Sequence, residues 1–476
     1  MVTSTGHRLA STVFILLLAQ YGVAVAQPYD LVLANGRVMD PESGLDAVRS
    51  IAIVNGRIAA ITEETLQGTQ VIDVGGLVVS PGFIDLHAHG QDTFSSSLQA
   101  LDGVTTALDL EGGAYPVAEW YAEREGVAII NYGVTVSHTG VRRRVLGIDE
   151  ETHYDAASPE QIEQMRKLLA QGLDEGALGV GFGIQYVPGA TREEIFRMFE
   201  FVHERNVVSF VHVRGWGLQE SGGSVDAVQE MIAAAAASGA SVHIVHIGSS
   251  GLHSVSVALD MIRGASFRGV DVTTEVYPYT AASTSIEAAL FDPGWRERLG
   301  ADYGDIEWVA TGERMSEASF LRRREEGGMV IAHIIPEETV ETAIADPIVL
   351  IASDGVPFVN GRAHPRGAGT FARVLGRYVR KKGTLTLMDA LRKITIMPAR
   401  RLEASLPQMR TKGRLRVDTD ADLTIFDSET VLDRATFPRP SQPSAGIHHV
   451  LVEGTFVVRD GQLVEGALPG RAIKRR

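Results

Sequence analysis

Four histidines and one aspartate in this chain are placed as metal ligands would be. In Pro81-Gly82-Phe83-Ile84-Asp85-Leu86-His87-Ala88-His89 two histidines stand two residues apart. Residues i and i+2 of a strand project to one face, so His87 and His89 point the same way. Paired imidazoles suit a divalent cation. His212, His246 and Asp354 each follow a strand-like apolar run, at 208–211, 242–245 and 348–353. A lone strand-end histidine is commonly structural, but several such ligands converge if their strands open onto one rim. His243 lies three residues before His246 and faces the other way, which reads as structural. The roles of His138, His253, His333 and His364 stay open, and His203 falls on a helical segment with a surface look.

A rim of this kind needs parallel strands. Apolar runs recur at 82–87, 104–110, 128–136, 177–183, 207–213, 241–247, 270–276 and 348–353, with helical patterns between them such as 159–172, 192–205 and 224–237. Strands alternating with helices imply an α/β chain with a parallel sheet, and eight such units a (β/α)8 TIM barrel. A ninth run, 329–334, is assigned to a lid-like insertion after strand 7, about 280–340. The ends differ in character. Short β-runs meet at Asn35-Gly36, Asn55-Gly56, Glu453-Gly454 and Asp460-Gly461, where Asn-Gly and its kin mark hairpins. Residues 27–80 and 405–476 together predict one small β-domain beside a barrel over 81–404.

Bulk properties narrow the function. The chain has 476 residues, 45% hydrophobic and 22% charged, which is ordinary globular composition. A net charge of −15 repels a phosphate backbone, so a small-molecule partner is expected rather than a nucleic acid. There is no cysteine, which excludes disulfides, a thiol nucleophile and thiolate metal ligands. A weakly basic start, an apolar core over 13–18 and Ala24-Val25-Ala26 before Gln27 form the layout of a secretory signal peptide, residues 1–26. The expected destination is the periplasm or the exterior, with no membrane attachment once the signal is removed.

The ordered set His-x-His, two single histidines and Ser353-Asp354-Gly355 resembles the amidohydrolase superfamily, and within it the D-aminoacylase (N-acyl-D-amino-acid deacylase) family. Supporting stretches are Gly103-Val104-Thr105-Thr106, Gly176-Ala177-Leu178-Gly179, Tyr186-Val187-Pro188-Gly189, Val276-Tyr277-Pro278-Tyr279, His364-Pro365-Arg366, Gly369-Thr370-Phe371 and Ala421-Asp422-Leu423. The resemblance implies a barrel with a small β-domain that hydrolyses an N-acyl amide of a D-amino acid. Two departures matter. Where the family carries a cysteine ligand after strand 2, this chain has Glu111 in Asp109-Leu110-Glu111-Gly112-Gly113, and no lysine on strand 4 offers a carbamate bridge. Glu111 is therefore the candidate metal carboxylate. Where the family carries a lysine two residues after the strand-6 histidine, this chain has Gly248.

The expected centre is one or two Zn²⁺ ions, other divalent metals remaining open, held by His87, His89, Glu111, His212, His246 and Asp354. Asp354 is the expected general base and acid. Tyr277 and Ser283 resemble the family's substrate contacts, and Arg366 or Arg214 would pair with a substrate carboxylate. The alternatives are a related hydrolase of a cyclic amide, dipeptide, aryl amide or lactone, and a non-catalytic binding barrel. No Gly-x-Ser-x-Gly elbow supports a serine hydrolase. A homo-oligomer is compatible with all of these.

Overall fold

The computed structural model describes residues 1–3, 28–147, 153–217 and 219–475. The expected signal peptide falls, from residue 4 onward, outside them. No helix among the described residues is long and apolar enough to cross a membrane.

Eight parallel strands form the barrel sheet in chain order. They are strand 1 (Phe83–Asp85), strand 2 (Val104–Ala114), strand 3 (Asn131–Ser137), strand 4 (Gly179–Gly183), strand 5 (Val208–His212), strand 6 (Ser241–Ile244), strand 7 (Val272–Val276) and strand 8 (Val349–Ile351). Strand 8 meets strand 1 through a bridge between Ala88 and Gly355 and through the Ser353 amide, which donates to Asp85 at 3.0 Å. The outer helices alternate with the strands. Thr191 caps Arg192–Glu204, and Ser158 closes Pro159–Asp174 with a reciprocal capping box. Each turns one apolar face, for example Ile195, Met198, Phe199 and Val202, onto the sheet.

Strand 4 reads Gly179-Val180-Gly181-Phe182-Gly183, and its alternate glycines have a steric cause. A Cβ on Gly179 would lie 2.3 Å from the Val208 carbonyl oxygen, and one on Gly181 would lie 2.3 Å from that of Glu111. The barrel lining closes here only because this face carries no side chain.

Strands from both chain ends build a second, nine-stranded sheet that includes Tyr29–Asp40, Leu45–Val54, Val78–Pro81, Leu423–Phe426 and Ile447–Val452. Asn55-Gly56, Glu453-Gly454 and Asp460-Gly461 are its tight turns, with both residues of each pair at positive φ. Asn35-Gly36 is not a hairpin turn, contrary to expectation. It lies inside the continuous strand Tyr29–Asp40 as a bulge, where pairing passes from the segment Gly68–Asp73 to Val78–Pro81. The tail leaves this sheet again: the Ile473 amide donates to Tyr132 O of strand 3 at 2.7 Å.

Between strand 7 and the helix Glu337–Ala345 the chain forms a separate four-stranded sheet, in which Ala282–Ser285 and Ile306–Trp308 pair antiparallel with Met329–Ala332. It stands at the end of the barrel where His87, His89, His212, His246 and Asp354 emerge.

Candidate metal centre

Each expected ligand sits at or just past the end of a barrel strand. His87 and His89 follow strand 1, Glu111 lies in strand 2, His212 ends strand 5, His246 follows strand 6 and Asp354 follows strand 8. His246 and Asp354 take φ values of +36° and +52°, unfavourable for residues other than glycine and typical of groups held at a functional site. His87 Nε2 lies 3.1 Å from His89 Nε2, and His212 Nδ1 lies 3.0 Å from His246 Nε2. Glu111 stands between the two pairs, 3.3 Å from His89 Nε2, 3.8 Å from His87 Nε2 and 3.6 Å from His212 Nδ1. Asp354 Oδ1 is 3.4 and 3.6 Å from the Nε2 atoms of His87 and His89. Ligand atoms of His87, His89 and Glu111 all lie within 4.8 Å of one another.

The far nitrogen of every histidine is engaged. His87 Nδ1 meets Glu275 at 2.6 Å, His89 Nδ1 meets Asp109 at 3.1 Å, and His212 Nε2 meets Gln185 Oε1 at 2.8 Å. His246 Nδ1 faces the Ser250 and Ser249 hydroxyls at 3.0 and 3.1 Å. Glu275 and Asp109 sit at the far nitrogens of His87 and His89, so the two Nε2 atoms, 3.1 Å apart, face the cleft. With both rings neutral, a cation against both would take these two lone pairs. The donor set therefore fits a divalent metal, with outer partners that fix each tautomer.

Electrostatics agree. Burial alone would raise the Glu111 carboxyl, but His87, His89 and His212 pull it down to about 2. Burial lowers His212 to about 4 and His246 further, so both rings are neutral at pH 7, as ligation would require. Burial opposes charging of His87 and His89, yet Asp354, Glu111 and Glu275 around the first and Asp109 beside the second outweigh it and push both pKa values up, a concentration of negative charge that a metal cation would balance in place of the protons. Burial also raises Asp354, partly offset by Arg366 and the neighbouring histidines.

The centre opens into a cleft of about 400 Å³. Tyr277, Ser283 and Arg366 line it as expected candidates for substrate contact. Arg366 is buried, reaches Asp354 Oδ1 at 3.0 Å and lies 4.6 Å from the Tyr277 ring centre. Its Nε and Nη1, and the Tyr277 hydroxyl, have no hydrogen-bond partner among the described residues. Burial, opposed by Arg366, pushes Tyr277 up to about 12. His364 positions Arg366, donating from Nε2 to Ala281 O at 3.0 Å and accepting the Arg366 amide at 3.1 Å. Ser283 turns its hydroxyl to Val330 O at 3.0 Å. Arg214 is different: it forms a two-pronged pair with Glu230 at 3.0 and 3.1 Å, donates to Ala190 O at 2.6 Å, and does not line the cleft. The assignment of Arg214 to a substrate carboxylate is corrected, because Glu230 already neutralises it.

Several contributors escaped the sequence reading. Glu275 carries His87 on one oxygen and His243 on the other, at 3.1 Å, so His243 supports the centre from outside it. Asp85 accepts the His87 amide at 3.1 Å and the Ser353 amide, tying strand 1 to strand 8. Trp216 stacks on His212 at 5.3 Å, and the Tyr186 hydroxyl meets Thr284 of the insertion at 3.1 Å. A lone acid inside the apolar run 272–276 was a signal for Glu275; Gln185 and Trp216 had none. A second acidic group, Asp420, Asp422 and Glu453, encloses the Lys412 ammonium at 3.0, 2.7 and 3.2 Å, and that ion already fills it.

Known proteins place this geometry. The model of the Amidohydrolase family matches residues 70–261 and 260–458. A D-aminoacylase of Alcaligenes xylosoxydans xylosoxydans is 30% identical, over 94% of this chain and 98% of that protein. An N-acyl-D-glutamate deacylase of the same organism is also 30% identical, over 94% and 96%. The crystal structure of an N-acyl-D-glutamate deacylase from Bordetella bronchiseptica, complexed with zinc and a phosphonate mimic of the tetrahedral intermediate, superposes with a TM-score of 0.81 at 25% identity, covering 94% of this chain and all of that one. The chain belongs to the amidohydrolase family and is a metal-dependent hydrolase of carbon–nitrogen bonds.

Proposed function

We propose that this protein is a zinc-dependent deacylase of N-acyl-D-amino acids. The observation that carries the reading is the pairing, in one cleft, of the His87, His89 and Glu111 cluster, with His212 and His246 beside it, and a buried Asp354–Arg366 couple. Its support from known proteins is that both 30%-identical relatives are named for deacylation of D-amino acids. Bound zinc lowers the pKa of water and polarises a carbonyl.

The chain's own residues supply the rest. Asp354 takes a proton from the attacking water and returns it to the leaving nitrogen, so water adds across the amide and gives a carboxylic acid and a free amine. Burial raises Asp354, which improves a carboxylate as proton acceptor near neutral pH, while Arg366 keeps it oriented. Arg366, which lines the cleft beside Asp354 with the Tyr277 ring 4.6 Å away, is the proposed partner of the substrate's α-carboxylate. Among the described residues no lysine lines the cleft: Gly248 is buried, and a Cβ there would meet Val276 Cγ2 at 2.9 Å. Export through the leader at 1–26 belongs to the same proposal, and the N-terminal residue of the mature protein checks it, Gln27 being expected.

Hydrolysis of N-acetyl-D- and N-acetyl-L-amino acids, dipeptides and a dihydropyrimidine by zinc-loaded protein tests the substrate. D-selective release of amino acid supports the reading. Turnover confined to the cyclic amide or the dipeptides overturns it.

A further inference from the structure

The cleft wall carries two cations, Arg366 and Arg143. Arg366 pairs with Asp354 beside the metal ligands, where it serves the α-carboxylate. Arg143 lies on the helix His138–Leu146 that follows strand 3, and Thr139, Gly140 and Arg143 of that helix all line the cleft. Positions three and four apart share a helix face, so this face is turned to the substrate space. The adjacent Arg142 is buried against Glu194 at 3.0 Å. Arg143 instead is exposed, and among the described residues no carboxylate lies within ion-pair distance of it.

Arg143 also stands at a junction. An outer chamber of about 570 Å³ shares Arg143, Tyr186 and Ser285 with the metal cleft. Elsewhere in that chamber Arg324 is neutralised by Asp292 at 2.7 Å, and Glu287 would repel an anion. The favourable place for a negative group is therefore the junction, not the chamber. With the amide at the metal and the α-carboxylate on Arg366, a group reaching Arg143 belongs to the acyl chain or to the amino-acid side chain.

We infer that Arg143 binds a second carboxylate of the substrate, so that dianionic N-acyl-D-amino acids are preferred over monoanionic ones. This rests on the deacylase reading above. A charge-assisted pair at a half-open site changes specificity by about tenfold and weakens as salt screens it.

The test compares kcat/KM of zinc-loaded wild type, Arg143→Gln, Arg143→Lys and Arg144→Gln on N-acetyl-D-leucine, N-succinyl-D-leucine and N-acetyl-D-glutamate. The expected result is a loss in Arg143→Gln about tenfold larger for a dianionic substrate than for N-acetyl-D-leucine. It is expressed mainly in KM, partly rescued by Arg143→Lys and absent in Arg144→Gln. Loss with the succinyl compound places the carboxylate on the acyl group; loss with the glutamate places it on the side chain. Equal effects on all three substrates overturn the Arg143 subsite and leave the deacylase reading standing. Turnover of none of them overturns both.

Discussion

At the scale of single residues, the centre depends as much on what lies behind the ligands as on the ligands. Glu275 spans His87 and His243 at 2.6 and 3.1 Å, and Asp109 holds His89. Removing such a partner releases the ring orientation and weakens ligand basicity. Glu275→Gln is expected to lower zinc affinity about 10–100-fold in a competition with a chromophoric chelator, with the fold unchanged by circular dichroism. Asp354→Asn removes the proton carrier and is expected to reduce kcat by roughly 10²–10⁴-fold, with zinc retained by the His/Glu ligands. The positions of His87, His89, His212, His246 and Asp354 on one barrel rim were legible in the sequence because strand ends punctuate apolar runs. Glu275 was harder, because an acid in the middle of a strand looks like a packing anomaly until its two histidine neighbours are seen. Arg214, just past strand 5, and Arg366, which opens the helix Arg366–Arg373, look equivalent as rim arginines, and Glu230 packing against the first separates them.

At the scale of elements, strand 4 decides how closely the Glu111 strand approaches the barrel interior. Gly181→Ala puts a methyl 2.3 Å from the Glu111 carbonyl oxygen, 2.7 Å from that of Leu110 and 2.7 Å from Thr135 Oγ1. Backbone cannot give way as a flexible side chain does, so strand 2 must move. The expected outcome is a lowered melting temperature together with a drop in zinc affinity; Gly264→Ala on an outer helix, whose Cβ meets only the Arg268 Nη1 atom at 3.3 Å, is expected to change neither. The strands were readable from their periodicity and branched apolar residues. The bulge at Asn35-Gly36 was not, because the same dipeptide serves a hairpin and a bulge, and the choice is made by the partners 68–73 and 78–81 across the sheet.

At the scale of the whole molecule, buried charges join the parts. Lys412 binds Asp420, Asp422 and Glu453 of the β-sheet region, and Asn131 of barrel strand 3 donates to Asp422 at 2.9 Å. Lys393, on the helix Leu387–Ile394, donates to Val349 O at 2.8 Å and to Asp346 O at the foot of strand 8. Burial brings its pKa down to about 8. The unfolded chain holds that proton up to about pH 10.5, so between pH 8 and 10.5 it binds more protons than the folded protein, and stability rises with pH across this window by up to about 3 kcal/mol. Urea midpoints at pH 7.5 and 10 are expected to diverge between wild type and Lys393→Met, wild type gaining with pH relative to the variant.

The account's central claim is that His87, His89, Glu111, His212 and His246 form a metal centre in which a glutamate takes the place of a thiolate. Metal content per chain by inductively coupled plasma mass spectrometry, on wild type and Glu111→Ala purified side by side after dialysis against zinc, tests it most directly. Stoichiometric zinc in the wild type and a clear loss in Glu111→Ala are predicted. Zinc retained equally by Glu111→Ala would contradict the role of the carboxylate, and a wild-type protein that binds no metal would contradict the centre itself.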